Sequence, residues 1–454
     1  MPSAPITLHF GQALLPEGWR RDVRVAVAGG RISAVTPDAA AQPDDERHAI
    51  ALPGLANLHS HAFQRGMAGL AEQRGAAQDS FWTWRQVMYR FLDRLTPEDV
   101  HAIAAQAYVE MLETGFTRVG EFHYLHHDLD GAAYADPAAM AAAIAAAATE
   151  TGIGLTLLPV FYAHSGFGGA PPHEAQRRFV SSLDGFARLH EACGQVIAGL
   201  DDARLGIAPH SLRAVTEQEL AALLALAPGG PVHIHIAEQT AEVDACQAWS
   251  GARPVEWLLD HAPVDARWCL VHATHMTSAE AHRLATSGAV AGICPITEAN
   301  LGDGLFPAEP YLAAGGRFGV GSDSNVLIDA AEELRWLEYG QRLVRRGRNL
   351  MPRTAGESSG MALYAGALAG GAQALGVEHG LDAGRPADFV TLDAAHPGLA
   401  ARDGIALIDG WIFAAGRGAI DTVWRRGVKV VSGGHHHARE AVAARYGACL
   451  ARLL

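Results

Sequence analysis

Two histidines close an apolar run in Leu52-Pro53-Gly54-Leu55-Ala56-Asn57-Leu58-His59-Ser60-His61. In a strand, successive side chains alternate faces, so His59 and His61 point the same way and can share one cation. Taken alone, the pair reads equally well as two pocket histidines that only hydrogen-bond. Three further segments shift that balance. Val232-His233-Ile234-His235-Ile236-Ala237-Glu238 again puts two histidines on one face. His235 is the expected ligand because it ends its run. Glu238, three residues on, is placed over the pocket mouth to move protons. His233 lies one layer deeper and reads as structural. His272 ends Leu270-Val271-His272, and Asp323 ends Gly319-Val320-Gly321-Ser322-Asp323. Asp323 alone could equally be a helix N-cap.

His59, His61, His235 and Asp323 are thus the expected metal ligands. Three imidazoles and a carboxylate suit zinc or a similar divalent ion. Such an ion brings the pKa of water toward ~7 and makes it a nucleophile at neutral pH. Asp323 can take the water's proton, His272 can orient the water or stabilise developing charge, and Glu238 can carry a proton to a leaving group. These three are the expected catalytic residues. No lysine ends the fourth strand, where Leu205 to Arg213 supplies His210 and Arg213 instead, so one metal ion is expected.

Something must hold these residues together. Short apolar runs end near His59, Glu121, Phe161, Pro209, His235, His272, Ile293 and Gly321, with helical patterns such as Pro97–Glu113, Glu217–Ala227, Pro254–His261 and Ser278–Ser287 between them. Alternating strands and helices predict a (β/α)8 TIM-type barrel, whose chemistry sits at the C-terminal strand ends. The ligand-type residues fall at those ends. Both chain ends read differently. Val23–Val27, Gly29-Gly30 and Arg31–Val35 predict a hairpin, and Asp388–Leu392, Thr422–Trp424 and Val428–Val431 predict further strands. The expected division is a small β-sandwich domain from residues 1–52 plus 383–435, a catalytic barrel over 53–382 and a C-terminal helix over 436–454. His435-His436-His437, after Gly433-Gly434, reads as a solvated loop. The Gly- and Pro-rich stretch 164–173 fits either a lid or a static loop.

Composition limits the partners. The net charge is −14, from 49 acidic and 35 basic residues, which argues against nucleic acid or an anionic membrane. Five cysteines without a CxxC pair argue against a disulfide framework and a thiolate zinc site. Met1-Pro2-Ser3-Ala4-Pro5 shows no leader pattern, and the Ala138–Ala148 run reads as a buried helix, so a cytoplasmic location is expected.

The HxH of His59 to His61, the HxxE of His235 to Glu238, His272 and Ser322-Asp323 resemble the amidohydrolase superfamily. Within it, Asn57-Leu58-His59-Ser60-His61-Ala62-Phe63-Gln64-Arg65, Gly120 to His127, Ala208 to Arg213 and Cys294 to Phe306 resemble the formimidoylglutamate deiminase family. The resemblance covers nearly the whole chain. It implies hydrolysis of N-formimidoyl-L-glutamate to N-formyl-L-glutamate and ammonia in histidine degradation, with one divalent ion, zinc first. Such a substrate is a small amidine with two carboxylates, so it needs cations despite the acidic chain. Arg85 and Arg213 are the expected carboxylate partners, and Gln64, Tyr124 and His210 the expected partners of the remaining polar atoms. Arg85 also reads as a surface helix cation, and Tyr124 as a packing residue. A homodimer is common among related enzymes. The rivals are a deaminase of an aromatic heterocycle and a metal-free scaffold protein on the same fold.

Overall fold

A computed structural model describes residues 5–75 and 80–454. The reading of the Met1–Pro5 start therefore lies outside the described residues, Pro5 excepted. The chain begins with strands β1 (Ile6–Leu15), β2 (Gly18–Ala28), β3 (Arg31–Thr36) and β4 (Glu46–Pro53). The middle carries β5 (Leu55–Ser60), β6 (Phe116–His123), β7 (Gly154–Phe161), β8 (Arg204–Leu205) and β9 (Ala208–Pro209). It continues with β10 (Val232–Ile236), β11 (Trp268–His272), β12 (Val290–Ile293) and β13 (Arg317–Val320). The end adds β14 (Phe389–Leu392), β15 (Ile420–Arg425), β16 (Val428–Ser432) and β17 (His435–His436).

Both ends of the chain build one mixed sheet, in the order β17-β16-β15-β14-β4-β1-β2-β3. The β2–β3 hairpin turns at Gly29 and Gly30, with φ of 58° and 78°, the backbone a two-residue hairpin turn demands. Alternate residues Val23, Val25 and Val27 are buried and join Leu8, Phe10, Phe389 and Trp424 in a small core of their own.

The middle strands pair in parallel. One sheet runs β5-β6-β7-β8, with β9 also on β7, and another runs β10-β11-β12-β13. Parallel bridges Ile207–Val232, Ser211–His235 and Ser60–Asp323 link the two sheets at both edges. Every residue of β10 and β11 is buried, as expected for parallel strands covered by helices. The helices Pro97–Glu113, Glu217–Leu226 and Ser278–Ser287 each start with a capping box, Thr96 with Asp99, Thr216 with Glu219 and Thr277 with Glu280. Each box satisfies two backbone donors that a helix start leaves bare.

The strand ends lie close to the positions read from the apolar runs. The histidine triplet departs from expectation at one residue. His436 is 3% exposed, on β17. Its backbone N–H donates to Glu113 at 2.9 Å, and its Nε2 bonds the Thr151 carbonyl at 2.9 Å. Pairing with the β16 edge holds His436 against Glu113 and Thr151, so it alone of the triplet is buried, while His435 and His437 stay exposed as the loop reading expects. The 164–173 stretch is tied down: His164 pairs with Glu219 at 3.0 Å, and Phe167 stacks on Trp249 at 5.5 Å. No described helix is long and apolar enough to cross a membrane.

The helix Ser359–Ala374 lies against β13, at the end opposite the ligand residues. A Cβ on Gly370 would collide with the Phe318 carbonyl oxygen of β13. Gly370→Ala should therefore destabilise the fold by about 1–3 kcal/mol, the usual scale of overpacking. Gly447→Ala, whose Cβ would meet nothing within 4 Å, is the control. Thermal unfolding should show a lowered midpoint for the first and none for the second; equal midpoints would refute the close approach.

Candidate active site

β5 delivers His59 and His61 on one face, and β10 and β13 deliver His235 and Asp323. His59 Nε2 lies 3.2 Å from His61 Nε2 and 3.0 Å from His235 Nε2. Asp323 Oδ1 lies 3.4 Å from His59 Nε2 and 3.2 Å from His61 Nε2. All four ligand atoms fall within 4.8 Å of one another, and all four residues are buried.

Outer partners decide the tautomers. His61 Nδ1 donates to the Phe122 carbonyl at 2.9 Å, and His235 Nδ1 donates to the His210 carbonyl at 3.1 Å. A carbonyl only accepts, so Nδ1 carries the proton in each neutral ring and Nε2 presents a lone pair to the centre. Burial pushes His59 down to about 3 and His235 well below its ordinary value, which keeps both rings neutral. Lone pairs converging with a carboxylate repel one another unless a cation lies among them. The donor set therefore fits a divalent metal ion held by His59, His61, His235 and Asp323.

The backbone locks this cluster across the β5–β13 seam. Asp323 N–H donates to His59 O at 3.0 Å, and His61 N–H returns to Asp323 O at 2.9 Å. Asn325 Nδ2 bonds Ser60 Oγ, His61 O and Asp323 O, each at 3.1 Å. Asn57 and Ser322 clasp one another at 2.6 and 3.0 Å. Asn57 and Asn325 were given no role from the sequence, and Ser322 entered only as part of the Ser322-Asp323 motif. Their signal was position alone, two residues before His59 and either side of Asp323. Non-glycine residues in left-handed backbone gather here: Ala237 (φ 51°), His272 (68°), Ala273 (47°), Asp323 (45°) and Asn325 (55°). Each costs on the order of 1–3 kcal/mol and persists only where neighbours enforce it.

His272 Nδ1 donates to Glu298 Oε1 at 3.3 Å, and its Nε2 faces Glu238 Oε1 at 3.8 Å and Asp323 Oδ2 at 3.9 Å. Burial would lower its pKa, but Glu238, Glu298 and Asp323 together raise it to about 10. Its Nε2–H therefore stays a donor toward the centre. Burial likewise raises Glu238, favouring a carboxyl that can hold a proton. Glu298, also missed in the sequence, is 4% exposed and accepts the Cys294 N–H at 2.9 Å.

One cleft opens above the cluster. His61, Gln64, Arg85, Tyr124, His210, Arg213, His235, Glu238, His272 and Asp323 all line it. His59 lies beneath, at 0% exposure. Arg85 sits on the helix Phe81–Leu92 and points inward rather than to solvent: its guanidinium lies 5.2 Å from the Tyr89 ring and donates to the Tyr162 hydroxyl at 3.1 Å. Arg213 Nε is buried with no partner among the described residues. Gln64 Nε2 donates to the Tyr124 hydroxyl at 2.8 Å, leaving Gln64 Oε1 buried and without a partner among the described residues. Tyr89, Trp84, Phe179 and Tyr162 complete the walls and were not read from the sequence. The other histidines serve backbone carbonyls: His233 bonds Ala374 O at 2.8 Å, His126 Val160 O, His127 Val180 O and His275 Asp303 O, each at 2.9 Å. His123 is buried, and burial lowers its pKa to about 4.

A seam of parallel strands that ends in a three-histidine, one-aspartate cluster under a polar cleft is the arrangement of a metal-dependent hydrolase. The chain belongs to the amidohydrolase family, whose model matches residues 50–430. Residues 6–49 match the N-terminal domain of formimidoylglutamate deiminase HutF. The chain is 53% identical to a formimidoylglutamate deiminase of Pseudomonas aeruginosa over 98% of both chains. It superposes on an amidohydrolase from Brucella melitensis with a TM-score of 0.96 and 56% identity over 99% of both. A zinc-bound adenosine deaminase from Xanthomonas campestris shares the fold, with a TM-score of 0.81 and 24% identity over 99% of this chain and 98% of that one.

If Glu298 fixes the His272 ring, Glu298→Gln should lower turnover about 10- to 100-fold, the worth of a hydrogen bond to a charged group. Metal content, measured by elemental analysis, should stay at the wild-type level. Unchanged turnover would show that His272 needs no such partner.

Proposed function

We infer that this chain hydrolyses N-formimidoyl-L-glutamate to N-formyl-L-glutamate and ammonia in histidine degradation. The observation that carries this reading is the joining, in one cleft, of the ligand cluster and two guanidinium groups, Arg85 and Arg213. A metal cluster alone suits any deaminase. Two inward cations suit a substrate with two carboxylates, where an aromatic heterocycle would want an apolar slot. The 53% identical Pseudomonas aeruginosa deiminase supports the same choice.

In this reading, His59, His61, His235 and Asp323 hold one divalent ion, zinc by the nature of the donors. When bound, it supplies an electrophilic centre that acidifies water toward a pKa of ~7. Asp323 takes the proton of the attacking water. His272 directs its Nε2–H to the oxygen that gathers charge at the former formimidoyl carbon. Glu238 delivers a proton to the departing nitrogen, so that ammonia leaves and a formamide remains on the glutamate. Arg85 and Arg213 bind the carboxylates. Gln64 offers Oε1 to an amidine N–H, and Tyr124 and His210 complete the polar wall.

The circuit of parallel pairing from β5 round to β13 and back fits a closed (β/α)8 barrel. We divide the chain accordingly into a β domain of residues 1–52 plus 383–436, one residue beyond the expected boundary because β17 includes His436, a barrel of 53–382 and a terminal helix, Arg439–Leu453. The β domain is sandwich-like in that its sheet encloses its own core. A cytoplasmic enzyme acting on a small dianionic amidine, and not on nucleic acid or membrane, fits the acidic chain.

Ammonia release should occur from N-formimidoyl-L-glutamate and not from a panel of nucleobases and nucleosides; the reverse pattern would refute the substrate. Glu238→Gln should cut kcat by about 10²-fold or more, the scale of acid–base catalysis, and near-normal turnover would refute its role. Arg213→Met should raise KM strongly with metal content intact. Loss of metal with an unchanged KM would move Arg213 out of the substrate site.

A further inference from the structure

We propose that the Tyr162 hydroxyl is a further substrate-binding group, a hydrogen-bond donor to the carboxylate that Arg85 faces. The assignment rests on the deiminase reading above. Tyr162 directly follows β7, is 4% exposed and lines the cleft. Its ring lies 4.7 Å from that of His210, edge to face.

The argument is one of hydrogen-bond stoichiometry. A phenol oxygen has two lone pairs and one proton. Arg85 Nη2 donates to it at 3.1 Å, and a guanidinium can do nothing but donate. Gln176 Nε2 donates to it at 2.7 Å. The Gln176 amide is not free to turn round, because its Oε1 accepts the His173 backbone N–H at 2.7 Å. Gln176 is itself 1% exposed, so solvent does not replace these bonds. Both lone pairs of Tyr162 are therefore occupied, and its O–H proton must be aimed elsewhere. Among the described residues no acceptor takes it. The Tyr89 hydroxyl interacts with the same Gln176 and Arg85 groups but makes no hydrogen bond to Tyr162. A buried donor without an acceptor costs stability unless a ligand meets it.

The surroundings name that ligand's chemistry. Arg85 supplies positive charge beside the hydroxyl, and Arg213 shares the cleft. A carboxylate oxygen placed between Arg85 and Tyr162 accepts from both, in the short, strong geometry of charge-assisted bonds. Donation by Arg85 to Tyr162 also polarises the O–H and strengthens its bond to an anion. Gln176 acts one step back, as a positioning residue that sets the direction of the proton.

The test compares Tyr162→Phe with wild type on three substrates: N-formimidoyl-L-glutamate, N-formimidoyl-4-aminobutanoate and N-formimidoyl-2-aminobutanoate. The two analogues each lack one carboxylate. On the full substrate KM should rise about 10- to 100-fold, the worth of a hydrogen bond to a charged group. kcat should stay within about twofold and metal content should be unchanged, because the lost contact serves ground state and transition state alike. The penalty in kcat/KM should persist on the analogue that keeps the carboxylate at Arg85 and vanish on the other. An unchanged KM, or an equal penalty on all three substrates, would overturn the assignment, the latter by revealing a merely structural role. Wild-type turnover of the full substrate separates the two readings. Its absence from metal-loaded enzyme removes the deiminase reading and this assignment with it, whereas normal wild-type turnover with an unaffected variant removes the Tyr162 assignment alone.

Discussion

Three imidazole nitrogens and a carboxylate oxygen, all buried and within 4.8 Å of one another, define a centre that is repulsive without a cation. Much of the local structure exists to keep that centre from relaxing. Neutral rings could turn away or trade protons. They are prevented by the Phe122 and His210 carbonyls, which hold the outer nitrogens of His61 and His235. Because a carbonyl accepts and never donates, the choice of tautomer is made by backbone atoms that no substitution removes. The site's protonation state is thus written into strand register rather than into side chains alone.

The same constraint explains where the backbone is strained. Parallel strands run smoothly until their last residue and then must turn a side chain over the cleft. At β10, β11 and β13 the turn falls on Ala237, His272, Ala273 and Asp323, in left-handed conformations that glycine would take more easily. Glycine has no side chain to offer, whereas His272 and Asp323 each present one to the cleft. The cost is met by the clamp through Asn325, whose amide nitrogen reaches Ser60, His61 and Asp323 at once. Strain and clamp coincide at Asp323 and Asn325, as expected where geometry serves chemistry rather than stability.

What the sequence revealed follows from this division. Strand ends and ligand residues were legible because both obey local rules: apolar runs of limited length, alternation of faces, and ligand-type residues at run ends. His59, His61, His235 and Asp323 could be assembled without knowing a single contact. Residues that act through another were not legible. Glu298 lies 26 positions from His272 in the chain, and Asn57 lies 265 from Ser322. Nothing near Glu298 marks its link to His272, and Asn57 and Ser322 carry only their closeness to His59 and Asp323. Tyr162 was hidden for another reason. The run ending at Phe161 carried no histidine or carboxylate, and a tyrosine after a strand reads as packing until its oxygen is found between two donors. The buried His436 failed in the opposite direction, since a polar triplet after two glycines carries the local signature of a loop. Only its pairing at a sheet edge shows why it is covered.

The cleft also reconciles an acidic chain with an anionic ligand. A net charge of −14 is spread over the surface, where solvent and salt screen it. Inside, Arg85 is held over an aromatic ring and against Tyr162 rather than neutralised by a carboxylate. Arg213 approaches Glu242 no closer than 4.0 Å and keeps a buried Nε without a partner among the described residues. Gln64 keeps a buried acceptor in the same state. Unpartnered donors next to positive charge, and an unpartnered acceptor on another part of the wall, are complementary to one molecule carrying both an anion and an N–H cation. In the proposed reading, the cluster below acts on a bound substrate, and the unpartnered atoms above it select which substrate is held there.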